Sequence, residues 1–379
     1  MKWIITCIAL LLISFVAATT SGNHSIAGWM LVAMFVLMAI ACSRHRALKG
    51  YAFAVVIFAA ASAAMYYPAY FVTIGNFKLS SVIVPLMQII MFGMGTALSV
   101  GDFTRVVKMP KAVLAGIGCQ YIIMPFVALL ITKIFRFPNE VAAGIILIGS
   151  CPGGLASNVM TYLARANLAL SVTLTAISTI IAPFVTPLLM SWLAGQYVEM
   201  NFWKMFFDIA KIVILPVGLG LLFNHFVQSK WKKLDDIMPL VSMGGIALII
   251  VVITAAGRDE LMVIGATLIL AMAIHNTAGY ILGYFSGKLL GLKEEDRRTI
   301  AIEVGLQNAG LGSSLALAMG KLATVGLASA VFAPLMNITG STLASWWRNR
   351  PPEPLTNDIG EPDFEPQTAS EIKLKDEKL

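Results

Sequence analysis

The sequence predicts an all-α polytopic membrane protein, on three observations. Of 379 residues, 58% are hydrophobic and only 12% charged, too few polar side chains to cover a water-soluble fold of this size. Apolar runs recur along the chain at lengths that suit the roughly 20 helical residues needed to cross a hydrocarbon core. They are too long and too continuously apolar for barrel strands, so backbone groups in lipid must be satisfied within helices.

Twelve spans follow in order: 3–19, 26–43, 51–68, 82–99, 112–134, 141–164, 169–195, 205–228, 237–256, 260–289, 298–320 and 323–346. The first begins MKWIITCIALLLISFVAATTSG, one lysine ahead of an apolar stretch ending in small residues, the pattern of an anchor or a cleaved signal. It lacks a clear A-x-A motif, so retention is the favoured reading. With the second span it forms an N-terminal hairpin over residues 1–50. In the fourth, the GMG at 93–95 reads as close helix packing. In the tenth, His275 of AIHNTAGY reads as an interhelical hydrogen bond. Beyond the twelfth, residues 347–379 are rich in prolines and acids and poor in large apolar residues, which predicts a disordered tail.

Alternate loops hold Arg44, Arg46 and Lys49; Arg105, Lys108 and Lys111; Arg165; Lys230, Lys232 and Lys233; Lys288, Lys293, Arg297 and Arg298; and Arg348 and Arg350. The opposite loops are sparse in basic residues, so both termini are expected in the cytoplasm and the protein in the cell (inner) membrane. This bias accounts for the formal charge of +7 without a nucleic-acid partner. Cys7, Cys42, Cys119 and Cys151 lie in apolar runs with neither disulfide nor zinc spacing. The histidines lack H-E-x-x-H spacing.

Two spans carry glycine or proline interruptions. GSCPGGLASN at 149–158 contains Pro152, Gly153 and Gly154; EVGLQNAGLG at 303–312 is the other. Their surroundings echo each other, IAPFVTPLLMSWLAG after the first and FAPLMNITGSTLASWW after the second. Five helices over 51–195 thus pair with five over 205–346, and an odd number per unit makes the units opposite in orientation, the architecture of many transporters. Each break frees backbone groups that membrane depth tolerates only where protein or a water-lined cavity satisfies them.

Glu303 is the only acid deep in a span; Asp208 lies near a helix start, with Lys211 as a candidate partner. A charge at the bilayer centre costs roughly 2.5–3.5 kcal/mol by insertion scales. No span supplies an obvious basic residue at matching depth, so the partner is a proton or a bound cation. The neighbouring candidates are all oxygen donors, Ser157, Asn158, Ser171, Thr175, Gln120 and Gln307, which suit a hard cation such as sodium. Ser171 and Thr175 share a helix face.

FGMGTALSVGDF, GSCPGGLASNVMTYLARANLALSVTLTAISTIIAPFVTPLL and IEVGLQNAGLGSSLALA closely resemble the bile acid:sodium symporter (BASS) family, in its bacterial branch, over about residues 51–346. The resemblance implies a ten-helix inverted-repeat (5+5) transporter fold with two crossed discontinuous helices. Its panel domain would be 51–99 and 205–256, its core domain 112–195 and 260–346, and the hairpin at 1–50 an addition. It implies two sodium ions: one held by Ser157, Asn158, Ser171, Thr175 and Glu303, the other by Gln120, Glu303, Gln307 and the carbonyls of Val304 and Leu306. Two such cations against one carboxylate would leave a net positive charge for a monoanion to neutralise. Substrate positions carried over by the resemblance are Leu155, Asn308, Met336 and Asn337. Leu155 stands where bacterial relatives often carry Thr, and Met336 where a His is found, so this pocket is more apolar.

The leading expectation is therefore sodium-driven import of an organic anion by alternating access, the anion being a bile acid, a steroid conjugate or a small carboxylate such as pantoate. A sodium/proton exchanger using Glu303 as carrier, and a membrane sensor or scaffold, are the alternatives. Neither a G-x-S-x-G motif nor paired intramembrane aspartates point to an enzyme.

Overall fold

The computed structural model describes residues 2–45, 48–99, 101–102, 108–227, 233–350 and 352. In chain order its helices are α1 (Lys2–Thr20), α2 (His24–Arg44), α3 (Ala52–Tyr66), α4 (Ile83–Thr96), α5 (Pro110–Gly118), α6 (Met124–Phe135), α7 (Asn139–Ser150), α8 (Ala156–Leu163), α9 (Leu168–Leu189), α10 (Phe202–Ile209), α11 (Leu215–Val227), α12 (Lys233–Ala256), α13 (Arg258–Leu289), α14 (Glu294–Gly305), α15 (Ala309–Ala318) and α16 (Gly326–Arg348). Among the described residues, 7 helical runs are long and apolar enough to cross a membrane, with shorter apolar helices beside them; this is a multi-pass membrane protein. The tail expected over 347–379 lies, from residue 353 on, outside the described residues, as do Arg46, Arg105, Lys230 and Lys232.

Local chemistry sets the helix ends. Asn23, Asn167, Asn201 and Asn308 each accept a bond from the backbone amide three residues on, satisfying a donor that the first helical turn leaves unpaired. Arg136 and Arg165, at φ 53° and 52°, turn the chain out of α6 and α8 in the left-handed conformation common at helix ends. Two stretches of π-helix, Cys119–Ile123 and Ala210–Ile214, lie just before Pro125 and Pro216. Each contains the carbonyl, of Tyr121 or Ile212, that the proline cannot serve, and a π turn absorbs the lost bond.

One local feature lies between the expected helices and one departs from an expected contact. Thr73–Ile74 and Phe77–Lys78 form a small antiparallel hairpin, closed by Gly75 at φ 59°, a conformation glycine adopts without strain. Asp208 makes no ion pair with Lys211 among the described residues; it lines a cavity of about 360 Å³ with Lys204, Leu315 and Lys321.

Burial separates the helices into two kinds. Trp3 on α1 and Val263, Ile269 and Leu270 on α13 are exposed apolar side chains, the mark of a lipid-facing surface. In contrast, every residue of Val141–Ser150, Arg298–Gly305 and Ala309–Ala316 is buried. These enclosed segments flank the two interruptions, so the irregular backbone is surrounded by protein, as membrane depth requires.

Candidate functional site

The two interruptions meet. α7 ends at Ser150, Cys151 is extended (φ −76°, ψ 156°), and helix resumes at Ala156. α14 ends at Gly305, Leu306 is extended (φ −107°, ψ 97°), and helix resumes at Ala309. Gly153 and Gln307 pair as an isolated antiparallel bridge, in which Gly154 N donates to Leu306 O at 3.1 Å and Asn308 N to Pro152 O at 2.9 Å. Side chains take up further freed carbonyls: Thr186 donates to Ser150 O, Gln120 to Cys151 O, Gln307 to Val304 O and Asn276 to Gly305 O, all at 2.7–2.8 Å. The half-helices thus direct two C-terminal and two N-terminal ends, with their opposite partial charges, at one buried locus.

Glu303 sits against that locus, 2% exposed. Thr175 Oγ1 donates to its Oε1 at 2.6 Å, and Ser171 Oγ lies 3.0 Å from its Oε2. No Lys, Arg or His pairs with it among the described residues. Ser171 Oγ is also 2.8 Å from Asn158 Oδ1 and accepts from Thr161 Oγ1 at 3.3 Å. Ser157 Oγ donates to Gly154 O at 2.8 Å and lies 3.4 Å from Thr175 Oγ1. Ser171 has one hydroxyl hydrogen for two acceptors, so with Glu303 ionised and Asn158 Oδ1 turned toward it, one of those two oxygens lacks a donor among the described residues. A buried carboxyl ringed by hard oxygens calls for a proton or a cation at this place. All five residues expected for the first sodium ion are therefore together.

The second expected set is assembled differently. Gln120 Nε2 reaches Gln307 Oε1 at 2.6 Å, and Gln120 Oε1 is a buried acceptor without a donor among the described residues. The carbonyls of Val304 and Leu306, however, already accept from Gln307 Nε2 and Gly154 N. Among the described residues the Glu303 carboxylate bonds to Ser171 and Thr175 and to neither glutamine. Of the expected substrate positions, Asn308 caps α15 through Leu311 N at 3.0 Å, Asn337 donates to Ala333 O at 2.7 Å, Met336 is buried and Leu155 is the N-cap residue of α8. Among the described residues no hydrogen bond joins these four.

Sequence reasoning missed Thr161, Thr186 and Asn276. Only Asn276 carried a signal, a polar residue in mid-span beside His275. His275 itself bonds Met124 O through Nε2 at 3.1 Å, as expected. Gly153 gains a specific reason: a Cβ there would run into Glu303 Oε1.

Residues 84–264 match the family described as Sodium Bile acid symporter family. The chain is 41% identical over 273 residues to the uncharacterized sodium-dependent transporter YocS of Bacillus subtilis, which covers 72% of this chain and 84% of that one. It is 36% identical over 269 residues to the probable sodium/metabolite cotransporter BASS1, chloroplastic, of Arabidopsis thaliana, 71% of this chain and 67% of that one. Against the probable sodium/metabolite cotransporter BASS2, chloroplastic, of Oryza sativa, identity is 35% over 261 residues, 69% of this chain and 62% of that one.

Proposed function

Since the chain belongs to the sodium bile acid symporter family, which is a family of transporters and not of enzymes, we propose that it is a sodium-coupled symporter importing an organic anion by alternating access. The observation that carries this reading is the Glu303 carboxylate, buried without a basic partner among the described residues in a cluster of Ser157, Asn158, Ser171 and Thr175 oxygens, where a single Ser171 hydroxyl faces both Asn158 Oδ1 and Glu303 Oε2. The relatives' names, sodium-dependent and sodium/metabolite, agree with it.

In this reading the fold is ten helices in two inverted units of five, the panel comprising 51–99 and 205–256 and the core 112–195 and 260–346. The core holds both breaks and rocks against the panel. One sodium ion occupies the Glu303 cluster. A second lies near Gln120 and Gln307, taking the free Gln120 Oε1 and recruiting the Val304 and Leu306 carbonyls after Gln307 Nε2 and Gly154 N release them. Two cations beside one carboxylate leave a positive centre, so an anion at Asn308, Asn337, Leu155 and Met336 binds well only after sodium. The half-helix starts at α8 and α15 contribute further positive potential. The basic residues in alternate loops support a cytoplasmic C-terminus.

The test is uptake of labelled bile acids, steroid sulfates and small carboxylates into proteoliposomes under an imposed sodium or potassium gradient. At least one anion is expected to accumulate with sodium only, and Glu303→Gln to abolish that accumulation. Equal uptake under both gradients for every anion would overturn the reading. Sodium-for-proton exchange that no anion stimulates would replace it with an exchanger.

A further inference from the structure

Two residues past Glu303, where α14 unwinds at Gly305, the backbone is held by a chain of side chains that no expected sodium or substrate position includes. Leu306 N closes the last helical bond, to Ile302 O at 3.0 Å, and Ala309 N turns to Gln307 O at 3.0 Å. Gly305 O is thereby deprived of the amide it would meet in a continuous helix. Asn276, fully buried on α13, donates to it through Nδ2 at 2.7 Å.

An asparagine amide has a donor end and an acceptor end, and what fixes one fixes the other. Here Thr339 Oγ1, on α16, donates to Asn276 Oδ1 at 2.6 Å. The carbonyls of Leu335 and Met336, at 3.0 and 3.2 Å, face the same hydroxyl, but Asn276 Oδ1 is its nearest acceptor; with the proton given there, Thr339 accepts from Tyr280 O–H, 3.1 Å away. The chain therefore runs in one direction, Tyr280 to Thr339 to Asn276 to Gly305 O. The Tyr280 ring also lies against Gly305, where a Cβ would enter it. Three groups from two neighbouring helices thus specify where α14 stops, and so how the Glu303 turn is presented to Ser171 and Thr175. Thr339 Oγ1 lies 3.2 Å from Met336 O, which ties the network to the turn bearing Met336 and Asn337.

We propose that Asn276, Thr339 and Tyr280 are positioning residues that set sodium affinity by fixing the unwound Gly305–Leu306 segment. This rests on the sodium-symport reading. Partners that orient ligating groups are known to change metal affinity by about 10–100-fold when removed.

The experiment uses the full chain in proteoliposomes, with sodium titrated against both thermal stability and anion uptake. Thr339→Val keeps the side-chain shape and removes the hydroxyl; it is expected to raise half-saturating sodium by about tenfold while uptake at saturating sodium stays near wild type. Thr339→Ser restores the hydroxyl and is expected to match wild type. Tyr280→Phe, which keeps the ring on Gly305, is expected to give a smaller rise in the same direction and carries the test if Thr339→Val does not fold. Unchanged sodium half-saturation in these variants, or equal rises for Val and Ser, overturns the assignment while a sodium-responsive wild type upholds symport. A wild type without sodium response overturns the symport reading and the assignment with it.

Discussion

At the scale of single residues, the site depends on an absence of side chain as much as on the oxygens present. Gly153 faces Glu303 Oε1 so closely that a Cβ would displace the carboxylate, and a Cβ on Gly154 would lie 2.9 Å from Gln307 O. The bridge holds Gly153 in place from both sides, so the carboxylate must move, away from Thr175 and Ser171. Gly153→Ala is accordingly expected to cost about 1–3 kcal/mol, the usual range for overpacking a rigid interior, in melts recorded in potassium chloride. In sodium chloride a larger effect should appear. Ions that bind only the folded state raise stability by roughly 2.7 kcal/mol at a hundredfold excess over the dissociation constant, and this increment should vanish in the variant. A variant that keeps the full sodium increment would show that the carboxylate is not confined by this backbone.

At the scale of elements, the buried half-helices are pinned at their far ends as well as at the bridge. Glu140, in the first turn of α7, pairs with Lys321 and accepts from Thr324 Oγ1 at 2.5 Å, both in the turn between α15 and α16. The Lys321 bond, then the Thr324 bond, holds the Glu140 carboxyl below its ordinary value. A carboxyl depressed in the folded state adds stability above its unfolded value of about 4.3 and loses that contribution as the pH falls through the folded value. With side chains 38% and 35% exposed, screening limits the pair to about 0.2–1 kcal/mol. Glu140→Gln should therefore lower the melting temperature slightly at pH 7 and low salt, and the difference should shrink in acid and in high salt. A difference that is constant with pH would point to packing instead. The elements differ in how plainly the sequence announced them. Pro152, Gly153 and Gly154 each disfavour helix, so the first break is legible locally, whereas the second is marked only by Gly305, Gly310 and the polar run between. The bridge from Gly153 to Gln307, the donors from Thr186 and Asn276, and the π turns all depend on partners distant in the chain or on small changes of helical register. No periodicity in a single span encodes these. The hairpin at Thr73–Lys78 was hidden because its strands are only two residues long.

At the scale of the whole molecule, the N-terminal hairpin stands apart from the machinery that surrounds Glu303. α2 buries Ala27, Gly28, Met34, Ala39 and Cys42, and it docks on α3: Gly28 packs against Tyr66, Tyr67 O–H donates to Ser25 O at 2.5 Å, and the Trp29 and Tyr67 rings lie 5.0 Å apart. α1 presents Leu10, Leu12, Ile13 and Val16 outward. α3 remains fastened to the rest without them, through Tyr51 O–H at 3.1 Å from Thr342 Oγ1 and Ser341 Oγ at 3.2 Å from Gly50 O. Stripping α1 and α2 uncovers an α3 face to lipid rather than to water, and lipid is as apolar as the side chains it replaces, so little stability is lost. Removing two helices also leaves later spans in their original direction, with Lys49 still ahead of α3 to hold it. A variant lacking residues 1–44 is thus expected to take up the same anions with half-saturating sodium within about twofold of the full chain, since among the described residues neither α1 nor α2 bonds to the Glu303 cluster and groups that share no partner act nearly independently. Sodium-titrated uptake in proteoliposomes measures it. A lost or strongly weakened sodium response would make the hairpin a working part of the transporter and not a lateral attachment to α3.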